Sequence, residues 1–253
     1  MRNHSSDDNR SLKTFFIFTG FVGFLIIISL AVKAFLIIQQ NRFDGEHQFV
    51  LSIAQDSKVK KLIVFRPQEH SLTQVTIKNN VKLDGLSQTI GIIPDAYVDT
   101  SVDLASQAIN GELKTIMGNY YTLKTNLTIF DVWRLLWESQ KTINNQTVKA
   151  LALVDDQRRN DKSVSDIFTD DKVFADNISI QIINASNIPG VANRLERELS
   201  NLGFNIISVT TSRDPSDVSK IRYFGNESYT LTKLKRLLNL PKEQVDKELL
   251  AKI

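Results

Sequence analysis

The sequence predicts a mixed α/β (α+β) fold preceded by one N-terminal transmembrane helix. Three observations predict it: a long uncharged apolar run near the N-terminus, short runs rich in β-branched residues, and apolar residues at helical spacing between those runs. A chain of 253 residues suits one or two domains. We therefore expect two small mixed α/β domains after the helix, the second built on a βαβ unit.

The apolar run extends from Thr14 to Val32 without a charge, and thirteen of its residues are Phe, Ile, Leu or Val. At ~1.5 Å per residue it measures about 27 Å as a helix, close to the ~30 Å hydrocarbon core. Lys33 then falls at the interface, where its ammonium can reach water. We predict a transmembrane helix over 14–38 after a cytoplasmic tail at 1–13. A cleaved signal peptide is the alternative, although this apolar run is longer than a usual signal core.

The orientation is predicted from the basic residues on each side of the span. Arg2, Arg10 and Lys13 precede it, while Lys33 and Arg42 follow it. This bias places the N-terminus in the cytoplasm and the rest of the chain outside the cytoplasmic membrane.

The first domain is predicted over residues 56–154, after a juxtamembrane linker at 39–55 that is mixed and aperiodic. Thr128 and Asp131 have the spacing of a capping box and predict a helix that starts there. The other predicted elements are strands at 59–65, 72–77 and 147–154 and a helical pattern at 102–117.

Residues 155–176 contain seven acids and four bases, with few apolar positions. This composition favours a charged, solvated linker or exposed hairpin between two compact halves, rather than a binding surface.

The second domain is predicted over residues 177–253. A strand at 178–183, a helix at 190–201 and a strand at 204–210 make the βαβ unit, and Gly203 is placed to end the helix in a left-handed conformation. A third strand at 220–224 and a helix at 229–240 follow.

The C-terminal segment resembles the LytR C-terminal domain of LytR–CpsA–Psr cell-envelope proteins over about residues 177–240. An apolar strand, then Asn184, Pro189 and Gly190 before a helix, then Gly203 and Phe204 before the next strand, occur in that family's order. The family's small domain usually closes with a further strand after its second helix, and the sequence shows no evident candidate for it.

Residues 56–154 resemble only faintly the opening of that family's catalytic domain, which implies Arg and Asp side chains around a polyprenyl pyrophosphate and a metal. Arg66, Arg134, Arg158 and Arg159 do not form a recognisable version of that motif. We therefore assign no catalytic, cofactor-binding or metal-ligating residue and no cofactor.

Several kinds of site lack their usual residues. The sequence has no cysteine, and His4, His47 and His70 are too far apart for helical zinc spacing. The basic residues are interspersed with acids, so we expect no nucleic-acid partner. Neither common glycine-rich nucleotide loop occurs.

Four features have two interpretations each. Trp133 and Trp137 fit a helix core, or a platform that stacks on sugar or peptide. The residues Lys233, Lys235 and Arg236 fit a solvated helix face, or a contact with anionic polymer or lipid. The loop at 184–190 fits a plain turn, or an anion site at a helix start. The acid pairs Asp155–Asp156 and Asp170–Asp171 fit a charged linker better than a metal site.

These observations predict a membrane-anchored protein with a binding or scaffolding role at the bacterial cell envelope. The resemblance implies peptidoglycan or an envelope glycopolymer as a partner, besides the membrane itself. The alternative is a divergent phosphotransferase that attaches a lipid-linked glycopolymer to peptidoglycan.

The predicted orientation can be tested with reporters fused after Ile253. Because the charge bias places that end outside, a reporter active only in the cytoplasm should stay silent, and one active only outside should be active. Strong activity of the cytoplasmic reporter would reverse the predicted topology.

Overall fold

The computed structural model describes residues 7–102, 108–142, 145–151, 157–186 and 188–246. The chain forms two compact units, Met1–Asn41 and Arg42–Ile253. The fold is mixed α/β with an N-terminal apolar helix, which confirms the predicted fold class.

The first unit is built around helix α1 (Asp7–Gln39). Its apolar stretch, Phe15–Ile38, is 24 residues long and leaves its large side chains exposed. Such a helix is long and apolar enough to span a bilayer, because ~20 apolar residues suffice.

The second unit contains a six-stranded mixed sheet in the order β5-β4-β1-β2-β3-β6. The strands β1, β2 and β3 are antiparallel neighbours, β4 lies parallel to β1, and β6 lies parallel to β3. The short strand β5 is antiparallel to β4. The strand bounds are β1 Phe49–Gln55, β2 Lys58–Arg66, β3 Ser71–Lys82, β4 Ala96–Thr100, β5 Lys124–Thr125 and β6 Gln146–Leu151.

Helices cover both faces of this sheet. Their bounds are α2 Leu86–Ile90, α3 Ile109–Gly118, α4 Ile129–Lys141, α5 Gln157–Phe168, α6 Asp171–Asp176, α7 Val191–Ser200 and α8 Tyr229–Leu238. Single 3-10 turns occur at Pro67–Glu69 and Tyr120–Thr122.

The central strands divide the interior into two cores because successive side chains of a strand point to opposite faces. On β2, Leu62 and Val64 join the core that includes α5, α7 and α8, whereas Ile63 and Phe65 join the core that includes α3 and α4. The first core therefore contains residues from both predicted domains.

The interpretation of residues 39–55 as a linker is wrong for its last seven residues. Residues 49–55 form β1, an interior strand of the sheet with six buried positions. A strand that is buried on both faces has apolar residues on both, so it lacks the alternation that identifies a half-buried strand.

The segment at 155–176 is also not a solvated linker where the structure describes it. It contains α5 and α6. Val164, Phe168 and Val173 are buried in the first core, which we call the shared core because it contains residues from both predicted domains. Val164 and Phe168 are four residues apart, on one side of α5, so the many charges of this segment occupy its other sides.

The C-terminal segment contains the predicted βαβ unit. Strands β7 (Ser179–Asn184) and β8 (Asn205–Thr211) pair in parallel, and α7 connects them. Strand β9 (Ile221–Tyr223) then pairs in parallel with β10 (Lys242–Gln244), which follows α8. Strand β10 therefore follows the second helix of this segment, and the sequence showed no evident candidate for it because its three residues, Lys242–Gln244, are polar.

The predicted capping box at the start of α4 is confirmed, and it also holds the beginning of the second unit. Thr128 accepts a hydrogen bond from the Asp131 N–H at 3.1 Å, and Asp131 accepts one from the Thr128 N–H at 2.8 Å. Asp131 Oδ1 accepts two further bonds, from the N–H groups of Arg42 and Phe43, each at 3.0 Å.

Gly203 and Gly190 have φ angles of +90° and +80°, so both occupy the left-handed region. A Cβ at Gly203 would lie 2.9 Å from Thr169 Cγ2, whereas a Cβ at Gly190 would meet nothing within 4 Å. Gly203 therefore needs both the φ angle and the space that glycine provides, and Gly190 needs the φ angle alone.

We expect Gly203→Val to lower the free energy of unfolding by more than the ~1–2 kcal/mol of a left-handed residue, because the Thr169 contact adds to it. Gly190→Ala should cost the backbone term alone, and Gly118→Ala, in open space at the end of α3, should cost nothing. Urea unfolding of residues 42–253 measures the free energy of unfolding of each variant and so ranks the three losses. Equal midpoints for Gly203→Val and Gly118→Ala would contradict the expected order.

Candidate functional site

The strongest convergence of charged side chains in the described residues surrounds Lys233 of α8. Its Nζ lies 2.9 Å from both carboxylate oxygens of Asp95, 3.4 Å from Asp170 Oδ2 and 2.8 Å from the carbonyl oxygen of Gln48. The Lys233, Asp95 and Asp170 side chains are at most 2% exposed. We call these three side chains the Lys233 cluster.

Local structure positions each carboxylate of the Lys233 cluster. Asp95 directly precedes β4, and its Oδ2 accepts the N–H of Val50 on β1 at 2.8 Å. Asp170 caps α6 by accepting the N–H groups of Lys172 and Val173, an arrangement that satisfies otherwise unpaired helix donors.

Tyr229 is a further partner of Asp170, since its hydroxyl donates to Asp170 Oδ2 at 2.8 Å. Burial and the negative charge of Asp170 raise the pKa of Tyr229, so its phenol keeps its proton. The Tyr229 ring stacks on His47 with centroids 4.0 Å apart, and His47 Nδ1 lies 3.0 Å from Asp44 Oδ2.

Asp44 extends this polar network to the surface. Its burial would raise its pKa, but hydrogen bonds from the N–H groups of His47 and Glu46 and from the His47 side chain outweigh it and lower the pKa. The carboxylate is therefore ionised over most of the pH range, and its contribution to stability is lost only as the pH falls below the usual range for aspartate.

A second set of contacts joins the C-terminal half of α7 and the residue after it to α5 and to the end of α2. Arg197 pairs with Asp161 at 2.7 Å and donates to the carbonyl of Gln88 at 2.9 Å. Asn201 donates to the carbonyl of Gly91 at 2.8 Å. Together with the Lys233 cluster, these bonds connect the C-terminal segment to α2 and to the residue before β4.

The Lys233 cluster is suited to holding structure together rather than to chemistry on a substrate. A catalytic group must reach the reacting atoms, and these side chains are closed off from solvent. Moreover, Nζ is already saturated with acceptors, and Asp170 accepts from three donors.

Another buried pair, Lys61 on β2 and Glu112 on α3, joins the sheet to that helix. Burial raises the pKa of Glu112, and the ammonium of Lys61 opposes that shift. Like the Lys233 cluster, this pair is inaccessible, with Glu112 fully buried.

The interpretation of Lys233, Lys235 and Arg236 as one solvated helix face is therefore wrong in part. Lys235 is exposed, whereas Lys233 is buried in its cluster. Arg236 donates to the carbonyl oxygen of Arg42 at 2.6 Å and lies 3.8 Å from Asp44. Asp170, which the sequence analysis assigned to a charged linker, belongs to the same cluster as Lys233.

The interpretation of Trp133 and Trp137 as core residues is wrong. They are 46% and 56% exposed, with ring centroids 6.3 Å apart, and Phe130 stands 5.4 Å from Trp133. Core positions of α4 are instead occupied by Val132 and Leu135, both fully buried.

The loop at 184–190 uses its polar groups internally. Asn184 accepts from the Ser186 N–H at 3.0 Å and donates to the carbonyl of Ile188 at 3.0 Å. These bonds favour the plain-turn interpretation over an anion site.

An open cleft of about 220 Å³ lies beside α4, with Glu46, His70, Glu138 and Lys141 among its lining residues. It is smaller than the ~300–1,000 Å³ of typical small-molecule sites, and its charges are mixed. A polyprenyl chain with its pyrophosphate would not fit within it.

Sequence reasoning missed Asp95 and Gln48 because nothing local marks them. The signal for Asp170 was present, as an Asp at the N-cap position before a short apolar-containing helix. The partners of Lys233 come from three distant segments, so no spacing rule along the chain finds them.

Comparison with known families identifies the C-terminal segment. Residues 177–253 match the LytR_C family. Its description is LytR cell envelope-related transcriptional attenuator, and the match confirms the resemblance drawn from Asn184 to Phe204. It covers less than a third of the chain and includes α7, α8 and the paired strands β7–β8 and β9–β10.

Other comparisons add little. No curated protein matches the chain. The X-ray structure of the Lin1025 protein from Listeria innocua is similar with a TM-score of 0.32 and 10% sequence identity, over 42% of this chain and 84% of that one. A likeness of that size supports no statement about fold or function.

Lys233→Ala should lower the free energy of unfolding by about 3–5 kcal/mol, because it leaves two buried carboxylates without their cation. Its matched control is Lys235→Ala, two residues along the same helix and exposed, which should change stability by less than about 0.5 kcal/mol. Chemical denaturation of both variants decides the point, and similar losses would mean that the Lys233 cluster does not stabilise the fold.

Proposed function

We propose that the protein is a membrane-anchored binding or scaffolding protein of the bacterial cell envelope, with residues 42–253 outside the cytoplasmic membrane. The apolar helix α1 and the LytR_C match of residues 177–253 support the setting. Peptidoglycan or a glycopolymer attached to it is the partner that this setting favours.

The hydrogen bonds of the arginine side chains favour a binding role over catalysis. Arg66 donates to the carbonyl of Ile167, Arg134 to those of Phe43 and Asp44, and Arg42 to that of Asp95. A pyrophosphate site needs guanidinium groups that are free to form bidentate bonds with phosphate oxygens.

In this chain those guanidinium groups connect segments of the backbone instead. Arg197 and Arg236 do the same, with the carbonyls of Gln88 and Arg42. These five arginines therefore hold backbone segments together, and the carboxylates of the Lys233 cluster are closed off from solvent.

We expect purified residues 42–253 to sediment with peptidoglycan and to leave a labelled, polyprenyl-pyrophosphate-linked glycopolymer untransferred. The comparison should use peptidoglycan with its glycopolymers retained and peptidoglycan stripped of them, so that the polymer bound is identified. Failure to sediment with either material would contradict the binding role.

The phosphotransferase alternative has its own readout in the same samples. If label is transferred to peptidoglycan, Arg134→Gln should abolish transfer while Arg213→Gln, in an exposed loop, should not. Transfer with that dependence, in variants that remain folded, would replace the binding proposal with a catalytic one.

A further inference from the structure

Helix α4 has an apolar side that nothing in the described structure covers. Ile129, Trp133 and Trp137 follow one another at four-residue spacing and are 36%, 46% and 56% exposed, and the half-buried Phe130 packs against Trp133. We call these four side chains the α4 aromatic face.

Other side chains of the same helix pack in the core or bind the backbone. Val132 and Leu135 are buried in the core with α3, and Asp131 and Arg134 bind the backbone of residues 42–44. A helix that is apolar on two sides is normally buried on both, so the aromatic face lacks a partner of apolar character.

Chain connectivity limits where this face can be. The apolar span ends at Ile38, and Arg42 follows four residues later. Four extended residues cover at most about 14 Å. The N–H groups of Arg42 and Phe43 bind Asp131 at 3.0 Å, so only this short segment separates the end of the apolar span from the first turn of α4.

The aromatic residues are close to that point. Along the helix axis, Trp133 and Trp137 lie roughly 3 and 9 Å beyond Asp131, at ~1.5 Å per residue. Tryptophan is enriched in the headgroup region of membranes because its ring is apolar and its indole N–H is polar.

We propose that the α4 aromatic face is seated in the headgroup region of the membrane that anchors the chain. Lys141, at the end of α4, supports this placement because its side chain is 48% exposed and can meet lipid phosphate, although it also pairs with Glu138 at 3.0 Å. The contact would set the second unit at a defined height and rotation above the lipid. It goes beyond the proposed envelope role and holds for either orientation of α1.

The two tryptophans are the only ones in the sequence, so tryptophan emission, excited at a wavelength that the five tyrosines do not absorb, reports on this face alone. The full chain is reconstituted in phosphatidylcholine–phosphatidylglycerol vesicles, with ordinary or brominated acyl chains. Brominated lipid should reduce tryptophan emission by about twofold or more, and iodide in the water should quench it little, as expected of indoles at the interface.

The matched control moves the reporter without changing its exposure much. In a Trp133→Phe, Trp137→Phe background, Ile188→Trp places one tryptophan at a 63% exposed position in the loop after β7. In the described hydrogen bonds, the backbone of Ile188 contacts only Asn184 and Ser186. Its emission should be quenched by iodide and unaffected by brominated lipid.

Two outcomes would overturn the proposal. In the first, Trp133 and Trp137 respond to iodide as the control does and ignore brominated lipid, which places the face in water. In the second, they ignore brominated lipid but change emission when soluble peptidoglycan fragments are added, which makes the face a sugar-stacking platform.

Discussion

The buried ammonium of Lys233 is the constraint on which the architecture of the second unit depends. A charge that is 2% exposed must have acceptors in place, because an unpaired ion in the interior costs several kcal/mol. Its acceptors come from the residue before β1, the residue before β4 and the cap of α6. Four separate segments must therefore be correctly placed at once.

This requirement explains why the segment that matches LytR_C is not an independent appendage here. Lys233 and Tyr229 belong to α8, inside the matched segment, while Asp95 and His47 belong to the preceding residues. The shared core, which contains Val64 of β2 as well as Leu199 and Leu231, provides apolar burial across the same boundary. Whether the two halves act as separate domains in solution remains a prediction.

Many polar side chains of the second unit are engaged in internal contacts. Arg42, Arg66, Arg134, Arg197 and Arg236 donate to backbone carbonyls, and the acids of the Lys233 cluster are buried. The capping residue Asp131 joins the start of this unit to α4, because it accepts hydrogen bonds from the N–H groups of Arg42 and Phe43.

Features that depend on near neighbours in the chain were predictable from sequence. The apolar length of α1, the capping box of Thr128 and Asp131, the βαβ order after Ile178 and the left-handed Gly203 all follow from spacing or backbone sterics. For the candidate site, the sequence identified Lys233 and Asp170 as charged residues but assigned both to solvent.

Tertiary structure alone decided the rest. Strand β1 is buried on both faces, so its sequence lacks the alternation that predicts a strand. Helices α5 and α6 bury only a few apolar residues, so the many charges of this segment predicted a solvated linker instead of two packed helices. Trp133 and Val132 are both apolar neighbours on one helix, and only the packing of α4 shows which faces the core. The partners of Lys233 lie 63 to 185 residues away in the chain, a relation that local periodicity cannot encode.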